Sequence, residues 1–87
     1  MWQVKVLKRA EKALAKLDKP TQKKIIKYLD EIKKLKEPHK KAKALTGELV
    51  GLWRYRISDY RIICQINNKI ITILILDIGH RKEIYKN

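Results

Sequence analysis

Arginine side chains in the second half of the chain have a spacing that favours the binding of an anion. Arg54, Arg56 and Arg61 lie within eight residues of one another, and Arg81 follows near the end. Arginine keeps its charge at any working pH, and its planar fork of N–H donors matches the oxygens of a phosphate group. The sequence therefore predicts a phosphate-binding site that these four residues share.

The chain lacks a set of residues that would hold a metal ion. Cys64 is the one cysteine, and Asp59 and Glu83 fall in a predicted turn and in the tail, so they form no catalytic carboxylate pair. We therefore expect neither a metal nor another cofactor. His80 precedes Arg81 and is open to two interpretations, a structural hydrogen-bond partner or a proton acceptor, since free histidine titrates near pH ~6.5.

The net charge of the chain is +13, from 22 Lys and Arg against 9 Asp and Glu. This excess excludes a neutral or cationic partner and predicts a polyanion. The first candidate for this partner is nucleic acid and the second is an acidic protein. A membrane surface is disfavoured because no long basic amphipathic helix stands apart from the core pattern. The lysines that we expect to attract RNA are Lys23, Lys24, Lys27, Lys40, Lys41 and Lys43.

Apolar periodicity predicts an α+β fold with the order β-α-α-β-β-β in one domain, residues 1–87. Residues 2–6 alternate as a strand, two helical stripes follow on either side of Pro20, and residues 39–51 form a connection. Strands are predicted at 52–57, 60–66 and 70–78. We expect the helical hairpin to pack on one face of a twisted, mainly antiparallel four-stranded sheet.

The alternation also predicts which side chains face away from the helices. If Trp53 and Tyr55 point toward the helices, Arg54 and Arg56 project from the opposite, open face of the sheet. Arg61 joins them there if its strand has the matching register.

Cysteine usage and hydropathy predict a cytoplasmic protein. Cys64 has no disulfide partner and is interpreted as a small buried hydrophobe, which fits a reducing compartment. The chain starts with a strand-like stretch instead of a signal peptide, and the apolar run at 70–78 is too short to cross a bilayer as a helix.

Several segments together resemble the RelE/ParE toxin superfamily, and more closely its RelE branch of ribosome-dependent messenger RNA interferases. The resemblance covers almost the whole chain, including the element order. The segments that carry it are Leu14-Ala15-Lys16-Leu17-Asp18-Lys19, Lys43-Ala44-Leu45-Thr46-Gly47, Leu52-Trp53-Arg54-Tyr55-Arg56, Asp59-Tyr60-Arg61 and Gly79-His80-Arg81-Lys82-Glu83-Ile84-Tyr85.

The resemblance implies a toxin of a type II toxin–antitoxin system that enters the ribosomal A site, cuts messenger RNA there without a metal, and is silenced by an acidic, RelB-like antitoxin. Arg54 and Arg56 match basic positions that serve phosphate binding and proton transfer, and Arg61 matches the arginine that stabilises the transition state. Arg81 matches a cation that protonates the leaving group. Tyr85 matches a tyrosine that stacks on or orients a base, although a tyrosine there could also plug the sheet edge.

One departure from the family pattern concerns proton removal. Arg56 stands where the family often has lysine, and a guanidinium with a pKa above ~12 is a poor general base. Proton removal then falls to ribosomal RNA or to His80. Two alternatives remain: a ParE-like poison of DNA gyrase without nuclease activity, and a plain basic RNA-binding module.

Overall fold

The computed structural model describes residues 1–80 as two helices packed on a sheet. The strands and helices follow one another in the predicted order, with a short strand and two single-turn 3₁₀ helices in the connection. The elements are β1 (Gln3–Val6), α1 (Lys8–Ala15), α2 (Lys19–Ile32), a 3₁₀ helix (Pro38–Lys41), β2 (Lys43–Ala44), a second 3₁₀ helix (Gly47–Leu49), β3 (Trp53–Ile57), β4 (Tyr60–Asn67) and β5 (Thr72–His80).

The sheet has five strands in the order β1-β5-β4-β3-β2, so the predicted count of four was wrong. The additional strand is β2, which pairs antiparallel with β3 through two residues of what the sequence indicated was a connection. β1 pairs parallel with β5, and the pairs β3–β4 and β4–β5 are antiparallel. The α+β class and the mainly antiparallel sheet are confirmed.

The helical hairpin covers one face of the sheet, as predicted. Ala10 on α1 and Ile25 and Ile32 on α2 are buried, and they share one core with Tyr55 and Ile62 of the sheet. Pro20 lies in the first turn of α2, where a missing N–H costs nothing. Gln22 closes the turn between the helices by donating from Nε2 to the carbonyl of Leu17 at 2.7 Å.

Tyr55 connects this core to the segment that leads into β2. Its ring is fully buried, and its hydroxyl donates to the carbonyl of Pro38 at 2.7 Å. Burial, which disfavours the phenolate, raises the pKa of Tyr55 well above its ordinary value. The 3₁₀ helix at Pro38–Lys41 is thereby fixed against the sheet, and β2 begins two residues after it.

Cys64 is fully buried in the same core, as the sequence predicted. Desolvation raises the pKa of its thiol from 9.0 to about 12. A thiol that stays protonated at neutral pH is a poor nucleophile and a poor metal ligand, so Cys64 acts here as a packing residue. Among residues 1–80, no helix is long and apolar enough to cross a membrane.

Candidate functional site

Four cations lie together on the face of the sheet that the helices leave uncovered. Lys43 is directly opposite Arg54 in the β2–β3 pair, and Arg56 is directly opposite Arg61 in the β3–β4 pair. Directly opposed residues in antiparallel strands project from the same face. We call Lys43, Arg54, Arg56 and Arg61 the basic cluster. The sequence left the register of β4 open, and the observed register places Arg61 on the same face of the sheet as Arg54 and Arg56.

The sequence predicted that Arg61, if its strand had the matching register, would lie on an open face of the sheet, but its side chain is buried there. Its exposed fraction is 6%, and that of Ile63 beside it on the same face is 5%. Nη1 donates to the carbonyl of Tyr60 at 3.3 Å, whereas the buried Nε has no hydrogen-bond partner among the residues that the structure describes. Burying a charged donor without a partner is costly, so an acceptor from outside residues 1–80 is expected for this Nε.

Three members of the basic cluster, all but Arg56, border a shallow depression of about 480 Å³ between β2, the following loop and the sheet. Its lining consists of Lys43, Ala44, Leu45, Thr46, Arg54 and Arg61. The loop is held in place because the N–H of Leu45 donates to the carbonyl of Leu52 at 3.0 Å. Gly47 then turns the chain with a φ of +67°, a conformation that glycine adopts without steric cost. Arg54 and Arg61 thus meet on one concave surface.

No carboxylate of residues 1–80 neutralises the basic cluster. The ion pairs in this range join Arg9 to Asp77 at 3.1 Å, Lys33 to Asp30 at 3.2 Å, and Lys40 to Glu37 at 2.8 Å. Each of these pairs lies outside the cluster. Four neighbouring cations repel one another when nothing negative is present, so the arrangement favours an anion that contacts several of them together.

His80 does not join the basic cluster. It is directly opposite Tyr60, on the face of the sheet that the helices cover, and the two rings pack edge to face with centroids 5.7 Å apart. Both rings line a groove of about 780 Å³ that is also lined by Ala13 of α1 and by Leu17, two residues beyond the end of that helix. The structure therefore separates His80 from Arg54 and Arg61 by the thickness of the sheet.

The lysines that the sequence grouped as RNA-attracting lie in different places. Lys23, Lys24 and Lys27 are exposed on α2, on the helical side of the molecule, whereas Lys43 belongs to the basic cluster. Lys41 is exposed in the 3₁₀ helix. Lys40, in the same helix, forms the ion pair with Glu37, and the hydrogen bond in that pair raises the pKa of Lys40.

The sequence did not predict that Lys43 lies next to Arg54 or that Thr46 contributes to the site. Both line the depression together with Arg54. A two-residue strand carries too little alternation to be detected from a pattern. The signal that could have found both residues is the resemblance segment Lys43-Ala44-Leu45-Thr46-Gly47, which contains them. Arg81 and Tyr85, which the sequence assigned to the same site, lie outside the described residues.

The part of the chain that the structure describes contains no group of three or more His, Cys, Asp or Glu side chains that could hold a metal ion. Metal independence itself stays a prediction. Within residues 1–80, the polar side chains that line the depression are three cations and a threonine hydroxyl, beside Ala44 and Leu45. They suit binding and charge stabilisation of a phosphodiester.

Comparisons with known proteins agree with this fold. The RelBE2 toxin–antitoxin complex from Mycobacterium tuberculosis contains a chain with a TM-score of 0.82 and 26% identity, over 92% of this chain and 98% of that one. The archaeal RelE–RelB complex from Pyrococcus horikoshii gives a TM-score of 0.74 and 31% identity over 94% and 97%. Toxin RelG of M. tuberculosis is 35% identical over 51 residues, and this match spans 59% of its length and 59% of this chain.

These similarities place the chain in the RelE/ParE toxin superfamily, as the sequence segments indicated. A family profile then makes the assignment specific: the profile described as the ParE toxin of the type II toxin–antitoxin system parDE matches residues 4–85. The chain belongs to this family of type II toxins.

Proposed function

We propose that the chain is a ribosome-dependent endoribonuclease that cleaves messenger RNA in the A site and so inhibits translation. The observation that carries this proposal is Arg61, a buried cation whose Nε is unpaired among residues 1–80 and which borders a depression together with Arg54 and Lys43. A phosphodiester supplies the oxygens that such a site lacks. RelE-type relatives with this fold, from M. tuberculosis and P. horikoshii, support the choice of class.

The chemistry that we propose uses the nucleophile of the RNA itself. The 2′-oxygen attacks the adjacent phosphorus, the bond from phosphorus to the 5′-oxygen breaks, and the products are a 2′,3′-cyclic phosphate and a 5′-hydroxyl. The phosphorane in between carries extra negative charge, which Arg54 and Arg61 stabilise because both cationic side chains line the depression. The ribosome holds the messenger so that its 2′-oxygen is in line with the phosphorus, and this alignment supplies the remaining part of the rate enhancement.

A small acidic antitoxin is the partner that we propose for the free protein. The net charge of +13 attracts an acidic surface quickly, and the structural relatives of M. tuberculosis and P. horikoshii are complexes of a RelE with a RelB. We expect the antitoxin to cover the basic cluster or to displace the chain's last residues. The antitoxin then neutralises the protein at a fixed molar ratio. This ratio is measured by adding increasing amounts of the purified antitoxin to a translation extract that the protein inhibits.

A second candidate function is poisoning of DNA gyrase, and the matching family profile favours it because that profile is described as a ParE toxin. The two functions separate in one pair of assays. In a translation extract, toe-printing after addition of the protein is expected to show new messenger ends inside A-site codons, while gyrase supercoiling of a plasmid proceeds normally. Inhibited supercoiling with intact messenger would assign the gyrase function instead.

A further inference from the structure

We infer that Lys43 is the general base that removes the proton from the attacking 2′-hydroxyl. This inference rests on the proposed ribonuclease function and deepens it by naming the group that takes the proton. It starts from the composition of the depression, whose titratable side chains among residues 1–80 are Lys43, Arg54 and Arg61. Guanidinium groups stay protonated at any working pH, so they accept no proton.

Lysine can perform this step because its amine loses a proton within an accessible pH range, with a reference pKa of about 10.4. Lys43 is exposed on the edge strand and lines the depression. None of the ion pairs within residues 1–80 involves Lys43. His80, the other basic side chain considered for this role, faces the helices beside Tyr60.

The register of the sheet gives Lys43 a suitable position relative to the arginines. Lys43 is directly opposite Arg54, and Arg61 lies on the next strand beyond β3. Arg61 is opposite Arg56 and therefore lies two residues along β4 from the residue that faces Arg54. With strands about 4.8 Å apart and a rise of about 3.4 Å per residue, the Cα atoms of Lys43 and Arg61 are roughly 12 Å apart. In this arrangement the 2′-hydroxyl of a bound ribose would face the edge strand and its 3′-phosphate would face Arg61, with both side chains reaching into the depression that they line.

The proton balance of the step is complete without a further reactant. The neutral amine of Lys43 takes the proton of the 2′-hydroxyl, the 2′-oxygen forms its bond to phosphorus, and the departing 5′-oxygen takes a proton from water. The ammonium group of Lys43 returns its proton to solvent before the next turnover. Arg54 and Arg61 keep their protons throughout and act on the charge of the phosphorane.

The experiment compares four proteins in single-turnover cleavage on saturated, programmed ribosomes: the wild type, Lys43→Ala, Lys43→Arg and Lys69→Ala. Lys69 is a matched control, since it is an exposed lysine in the β4–β5 turn, away from the basic cluster. We expect Lys43→Ala and Lys43→Arg both to lose about 10²–10⁴-fold in rate, which is the usual contribution of a general base. Lys69→Ala keeps the wild-type rate.

Chemical rescue distinguishes a base from a mere positive charge. Added methylamine or ethylamine is expected to restore cleavage by Lys43→Ala in proportion to the free amine, and to leave the wild type unchanged. Full activity of Lys43→Arg, or a Lys43→Ala variant that amines do not rescue, would overturn the assignment while leaving the proposed function intact. A wild type that leaves ribosome-bound messenger uncut would overturn both.

Discussion

Arg61 combines burial, positive charge and an unpaired Nε, and such a residue costs stability in the free protein. We expect Arg61→Met, which keeps the length of the apolar stem, to raise the free energy of unfolding by about 1–3 kcal/mol, the usual penalty of an unsatisfied buried polar group. Urea denaturation measures this change. Arg56→Met is the control, because Arg56 is exposed on the same face and its replacement should change stability by less than about 0.5 kcal/mol. A marked loss of stability in Arg61→Met would show that the guanidinium is well paired.

Cys64 makes stability depend on pH in the alkaline range. Its folded-state pKa is raised from 9.0 to about 12 by desolvation. As pH rises, the thiol therefore ionises in the unfolded chain before it ionises in the folded protein. The contribution of the buried thiol to the free energy of unfolding is complete below pH 9.0 and is lost as pH rises toward about 12. The expected slope is about 1.4 kcal/mol per pH unit. Denaturation of the wild type and of Cys64→Ala between pH 8 and 10.5 tests this prediction. The difference between their free energies of unfolding should stay constant at first and then shrink. A constant difference throughout would contradict a raised pKa for the Cys64 thiol.

The sequence assigned Arg54 and Arg56 to one face of the sheet, left the face of Arg61 open, and did not predict the burial of Arg61. Alternation in β3 is strict, so Arg54 and Arg56 could be assigned to the face opposite Tyr55 from the pattern alone. The burial of Arg61 depends on how neighbouring segments pack in three dimensions, which a local pattern does not contain. The separation of His80 from the arginines likewise depends on its pairing with Tyr60 across the sheet.

At the scale of elements, the β4–β5 turn contains a strained residue. Ile71 has a φ of +49°, although its β-branched side chain disfavours this left-handed conformation. The turn is fixed beforehand by Asn67, whose Oδ1 accepts hydrogen bonds from the N–H groups of Lys69 and Ile70 at 3.0 and 3.3 Å. Ile71 therefore adopts a conformation that the turn imposes on it.

Replacing Ile71 with asparagine should relieve this strain and stabilise the protein by about 1 kcal/mol, since the left-handed conformation costs most residues roughly 1–2 kcal/mol and asparagine tolerates it. Ile70→Asn is the matched control, because Ile70 is exposed and has no positive φ. Thermal denaturation of both variants gives the answer. Equal midpoints for the two variants would mean that the backbone at Ile71 is not strained.

The longer elements were predictable because each repeats its periodicity over several residues. α2 shows three buried residues at helical spacing, and β3 alternates along its length. β2 was not predictable, since its two residues, Lys43 and Ala44, form a strand only through their pairing with β3. The parallel pairing of β1 with β5 joins the two ends of the described chain, and no local signal specifies it.

At the scale of the whole molecule, positive charge lies on both sides of the sheet. The basic cluster occupies one side, and Lys23, Lys24 and Lys27 are exposed on α2 on the other side. Charge remote from the site acts mainly on the encounter with a polyanion, because screened attraction still speeds association.

The triple variant Lys23→Gln, Lys24→Gln, Lys27→Gln should therefore bind ribosomes more weakly and with a smaller salt dependence. The slope of log affinity against log salt falls by about 0.7–0.9 for each phosphate contact that is lost. Single-turnover cleavage on saturated ribosomes should stay close to the wild-type rate. A collapse of that rate in a folded triple variant would mean that the lysines of α2 position the substrate.

The basic cluster is expected to cleave messenger RNA on the ribosome, and mapping the messenger ends formed in one turnover tests this expectation. Ribosomes stalled with a defined, end-labelled messenger are mixed with purified wild type or Arg61→Met, and the ends produced in a single turnover are mapped. The wild type should cut within the A-site codon, leave a 2′,3′-cyclic phosphate and do nothing to messenger without ribosomes, while Arg61→Met is slower by about 10²–10³-fold. Equal cleavage by the two proteins, or intact messenger with the wild type, would contradict this expectation.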